Sequence, residues 1–132
     1  MLSAYRGNSA AASPSTSGKA ILVSVNLGAD TIADGTTFTP NATNTLQEMA
    51  NTQAIGTLTI AAPSGAAADG MRIIMRIRST NVQTFSWAAI YRGSTDLALP
   101  TSTSGATLYD YLAFMYNAAA IKWDLLGKNF GF

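Results

Sequence analysis

The chain contains no cysteine and no histidine, and only 11% of its 132 residues are charged. Without thiols there is neither a disulfide framework nor thiolate ligation of zinc or an iron–sulfur cluster. Without imidazole the chain lacks the only side chain whose unperturbed pKa lies near neutrality, which is also the commonest metal ligand. The acids Asp30, Asp34, Glu48, Asp69, Asp96, Asp110 and Asp124 are scattered, mostly beside glycine or small polar residues where turns are expected. No two of them form a recognisable catalytic or metal-ligand motif, so neither an enzyme active site nor a cofactor is expected.

The formal net charge is +1, and the charged fraction falls well below the roughly 25% typical of soluble domains. So few charges do little to keep copies apart, and a surface largely covered by partners is the expected resolution. The near-neutral balance gives no electrostatic footprint for nucleic acid. No apolar run approaches the roughly 20 residues of a membrane helix. Met1 to Gly7 lacks the basic start and apolar core of a secretory signal, which predicts a protein made and used without export.

Residues 1–18 are rich in small and hydroxyl side chains, with too little apolar area to offset the entropy of ordering them. They read as a flexible N-terminal arm whose large side chains, Leu2, Tyr5 and Arg6, would anchor it to a partner. Residues 19–132 read as one domain, large enough to bury roughly two-thirds of its unfolded surface.

Within that domain, Ala20 to Leu27 (AILVSVNL) predicts a first strand, and TTFT before Pro40 a short second one. The polar stretch Asn41 to Gln53 contains TLQEMA, read as one helical turn after an Asn or Thr cap. Asn41-Ala42-Thr43 also matches the glycosylation sequon, a frequent chance match that matters only in a secreted chain. Five further strands are expected over Ile55 to Ala61, Met71 to Arg78, Thr84 to Tyr91, Leu108 to Tyr116 and Ile121 to Leu126, at the spacing of a β-sandwich or jelly roll.

Strand side chains alternate between faces. Met71, Ile73, Met75 and Ile77 therefore share an inward face, with Arg72, Ile74, Arg76 and Arg78 on the other. Phe85, Trp87, Ala89 and Tyr91 share an inward face, as do Ile121, Trp123 and Leu125. Leu108 to Tyr116 is apolar on both sides: Leu108, Leu112, Phe114 and Tyr116 lie on one, Tyr109, Tyr111, Ala113 and Met115 on the other. Such a strand predicts that Tyr109, Tyr111 and Met115 meet another subunit. The stripe of Arg72, Arg76 and Arg78 is either a grip on acidic partner side chains or a solvated sheet face. The aromatic C-terminus, Phe130 and Phe132, is expected to pack against the sandwich or a neighbour.

From Gly56 the order GTLTI, GMRIIMRIRS, TFSWAAIYRGS, LPTSTSG, YDYLAFMYN and KWDLLGKNFGF resembles the β-sandwich domains of tailed-bacteriophage virion proteins, in tail fibres and in capsid decoration or cement proteins. The resemblance spans about Ile55 to Phe132. It implies a jelly-roll-like sandwich assembled as a homotrimer in a virion. The leading expectation is a capsid decoration protein on the outside of a phage head, with the major capsid protein as partner and the arm reaching a neighbour. The alternative is a tail-fibre or receptor-binding tip that stacks host glycans on Tyr91, Tyr109 and Tyr111; a chain this short has no room for a shaft. A third possibility, a glycosidase-like pair made by Asp110 and Asp124, needs their two strands to bring the acids about 5–10 Å apart.

Overall fold

The computed structural model describes residues 28–132. The arm over residues 1–18, with Leu2, Tyr5 and Arg6, and the strand expected from Ala20 to Leu27 lie outside the described residues.

Nine strands and no helix make up the described residues: β1 (Asp30–Ile32), β2 (Thr37–Phe38), β3 (Leu46–Asn51), β4 (Gly56–Ile60), β5 (Arg72–Ser79), β6 (Gln83–Trp87), β7 (Tyr91–Arg92), β8 (Leu108–Asn117) and β9 (Lys122–Phe130). They form a β-sandwich of a six-stranded sheet, ordered β1-β3-β5-β8-β9-β7, and a three-stranded sheet, ordered β2-β4-β6.

The chain alternates between the layers from β1 to β6, so neighbours within each sheet are parallel: β1 with β3, β3 with β5, β2 with β4 and β4 with β6. A jelly roll pairs its strands antiparallel in Greek keys. Here β1 to β6 instead wind as a coil around one core. Antiparallel strand pairs form where β8 lies against β5 and β9 against β8.

Alternation sets the core as the sequence predicts. Ile73, Met75 and Ile77 of β5 are fully buried against Met49 of β3, Leu58 and Ile60 of β4, Phe38 of β2, and Leu112 and Phe114 of β8. Trp123 of β9 is buried, with its ring 5.1 Å from that of Tyr116. Trp87 is half-buried among Phe85, Tyr91 and Phe114, and its indole N–H donates to Pro100 O at 2.9 Å.

Three expectations are corrected. TLQEMA is not helical: Leu46–Asn51 is β3, because Gln47, Met49 and Asn51 are buried at alternate positions. Thr84 to Tyr91 is not one strand. It breaks after Trp87, turns where Tyr91 N–H donates to Ala88 O, and Tyr91–Arg92 crosses to the large sheet beside β9. Ala89 is consequently exposed. Ile121 does not join Trp123 in the core: it sits in the turn before β9 with φ of 56° and is 65% exposed.

Candidate interaction surfaces

One face of the six-stranded sheet packs on the smaller sheet. Among the described residues, no second layer covers its other face. Register aligns the outward side chains there into rows. Glu48, Arg76, Tyr111 and Asn129 make one row, and Ala50, Arg78 and Tyr109 a second. A third joins Leu46, Ile74 and Ala113, with exposed Leu126 at the β-bulge where β9 continues it. Arg72, Met115, Asp124 and Arg92 form the fourth.

The apolar third row therefore lies between rows that carry ion pairs. Arg76 donates through Nε to Glu48 Oε1 at 2.7 Å and through its terminal nitrogen to the same oxygen. That pair, with the Tyr111 hydroxyl, pushes the Arg76 pKa up. Arg92 donates to both oxygens of Asp124, at 2.6 and 3.3 Å. Arg92, aided by Asn117, holds the Asp124 carboxyl below its usual range. Both pairs are partly exposed, so solvent screens them and they add little to stability.

All six residues singled out in the arginine stripe and the doubly apolar strand lie on this one face, as direct cross-strand neighbours: Arg72 beside Met115, Arg76 beside Tyr111, Arg78 beside Tyr109. Sequence reading treated them as two surfaces; register merges them. Arg78 donates to Thr107 O at 3.2 Å, and its guanidinium carbon sits 5.6 Å from the Tyr109 ring centre. Arg72 projects outward, exposed, with no ion-pair partner among the described residues. Phe132 extends the patch. It is 61% exposed and meets Tyr111 edge-on at 5.5 Å, while Phe130 packs towards Phe85.

A second feature escaped the sequence. A cleft of about 500 Å³ opens between Leu99 to Ser102 and Lys128 to Phe130. Past the two walls the chain is joined at Asp110, a fully buried carboxyl that accepts the Ser104 N–H at 2.7 Å, the Ser104 hydroxyl at 2.6 Å and the Gly131 N–H at 3.1 Å. Lys128 reaches across to Ala98 O at 2.8 Å. The loop on the far wall is held close at Gly93, where a Cβ would stand 2.6 Å from both Leu97 O and Leu99 N.

Other candidate residues are occupied in the fold. Tyr91 cannot stack a glycan: it is 4% exposed and its hydroxyl, pushed up in pKa by burial, donates to Ala61 O at 2.8 Å. Asp110 and Asp124 do not form a pair across one bond. Asp124 sits opposite Met115 and Asp110 opposite Phe130, so the two lie about 17 Å apart along the sheet. Asn41 of the sequon closes a local turn, its Oδ1 accepting the Thr43 N–H and hydroxyl. No protein-family model, curated protein or solved structure matches the chain.

Proposed function

We propose that this chain is a structural protein of a tailed-bacteriophage virion, a capsid decoration protein. In this reading it binds as a homotrimer to the outside of the head, on the major capsid protein, and stabilises contacts between shell subunits. The observation that carries the proposal is the outward face of the large sheet. Its apolar row of Leu46, Ile74, Ala113 and Leu126 is flanked by Tyr109, Tyr111, Met115 and Phe132 and bordered by arginines. A large apolar patch with a polar rim is the usual form of a protein contact. Arg72 and Arg78 are placed at the border of that patch, where they would meet shell carboxylates through bidentate bonds.

Two further facts support this reading. A sequence with 11% charged residues suits a surface that is covered in use. The segment from Ile55 to Phe132, which resembles virion sandwich domains, supplies β5, β8 and β9, the strands that carry most of the patch. The test is copy number in purified particles by quantitative mass spectrometry. Decoration requires a number that scales with the shell subunits; a handful of copies per particle would place the protein in the tail and end this reading.

A further inference from the structure

The cleft beside β9 is walled by a strand edge and an extended loop whose backbone groups face it. Tyr109 donates its N–H to Phe132 O at 3.0 Å and accepts from Gly131 N–H at 3.1 Å, so its peptide groups face β9. In an antiparallel strand that orientation recurs at every second residue. Tyr111 accordingly faces Asn129, its register partner, and the peptide groups of Lys128 and Phe130 point the other way, into the cleft. β7 covers β9 only at Trp123 and Asp124. On the opposite wall, Thr101 O accepts the Phe85 N–H and the Thr103 N–H donates to Gln83 O, both at 2.9 Å. The Ser102 peptide groups between them therefore turn away from β6, towards the cleft.

We propose that this cleft is a slot for strand addition, and that its occupant is the N-terminal segment of a second copy of this chain, residues 8–13 lying extended between Lys128 to Phe130 and Ser102. Main-chain bonds to both walls supply the attraction in such a slot, and side-chain size supplies the selection. Residues 8–13 read NSAAAS, small enough for a cleft of about 500 Å³. Pro14 ends the run, because a residue with no N–H cannot continue a strand bonded on both sides.

Placement lets a neighbour's segment enter the cleft without crossing the face of its own sheet. The described chain begins next to β1, one edge of the large sheet, whereas the cleft lies at the other edge, beyond β9. A donor on one flank and an acceptor on the other make a head-to-tail contact, which closes into a ring when the rotation allows. The 27 residues before Gly28 reach at most about 90 Å when extended, ample for crossing to an adjacent subunit. This inference rests on the proposed assembly into a homo-oligomer, and it leaves the outer sheet face free for the shell.

The test combines amide hydrogen exchange by NMR with sedimentation, on the full chain and on a form lacking residues 1–18. The full chain is expected to be oligomeric, with the Lys128 and Phe130 amides exchanging at least about tenfold more slowly than in the shortened form, which should be a folded monomer. Ser102→Trp, which fills the cleft and leaves the core alone, should also give monomers. Fast exchange of both amides in a full-chain oligomer would overturn the slot while leaving assembly intact. Slow exchange in a monomer would overturn it too, assigning the slot to the chain's own arm. A monomer with fast exchange would remove both the slot and the homo-oligomer.

Discussion

Asp110 and Ser104 are joined by two hydrogen bonds, the backbone N–H and the hydroxyl of Ser104 donating to opposite oxygens of one buried carboxyl at 2.7 and 2.6 Å. The same carboxyl takes the Gly131 N–H at 3.1 Å. One side chain thereby ties the loop between β7 and β8 to the chain end that follows β9. Asp110→Ala leaves the Ser104 N–H and hydroxyl without their acceptor, at about 1–3 kcal/mol where they stay buried, while the Gly131 N–H keeps Tyr109 O. A loss of about 1–3 kcal/mol in urea unfolding is expected, and Asp110→Asn, which keeps one acceptor oxygen, should lose less. Equal stability of Asp110→Ala and the parent chain would show that water replaces the staple.

Gln47 does comparable work at the other end of the sandwich. Fully buried in β3, it accepts the Asn41 N–H at 2.6 Å and donates to Asn41 O and Asn44 O, each at 2.8 Å. Gln47→Leu keeps the volume but strands these turn groups, so it should destabilise by about 1–3 kcal/mol. Amide exchange should quicken over residues 41–44 and leave β8 and β9 unaffected. Uniform loosening of the whole domain would contradict this local role.

The acid response follows from two carboxyls. Thr52 and Gln53, which donate to Asp34, hold its pKa below the usual 3.8, and Arg92 does the same for Asp124. A depressed folded pKa gives stability that is present above the unfolded value and lost as the pH falls through the folded one. Stability should therefore drop below about pH 4, the unfolded carboxylate range. With no histidine, no side chain with an ordinary pKa titrates between pH 5 and 8. Urea midpoints measured from neutral to acid pH check this, and replacing Asp34 and Asp124 together by Asn should flatten the acid limb. A steep loss between pH 7 and 5 would point to another group.

What the sequence made legible was the part governed by local alternation. The inward set Ile73, Met75 and Ile77 and the outward arginines of β5 follow from a period of two, as does the burial of Trp123. β3 was hidden because Gln47 and Asn51, polar residues on its buried face, break the expected apolar pattern and find their partners only once the chain is folded, Gln47 at Asn41 O and Asn51 at Gly35 O. The parallel winding was hidden because a short link looks the same whether it returns beside its own strand or crosses to the other layer. Residues 80–82 connect β5 in one sheet to β6 in the other. Likewise both halves of the outer patch were visible as residues, but only the register of Arg72 with Met115 and Arg76 with Tyr111 makes them one surface. The cleft had no sequence signal at all, since it is made by backbone edges far apart in the chain.

The patch itself admits a direct measurement. Leu126 lies on it at the β9 bulge, 57% exposed, so Leu126→Arg should change thermal stability little, within about 0.5 kcal/mol. Purified parent and Leu126→Arg proteins would be added to phage heads lacking the protein and the bound copies counted by cryo-electron microscopy. The parent should occupy regular positions on the outer shell, and the variant should lose at least about tenfold in affinity, the effect of some 1.4 kcal/mol at a buried contact. Equal occupancy by both proteins, or none by the parent, would contradict the assignment of this face to the capsid.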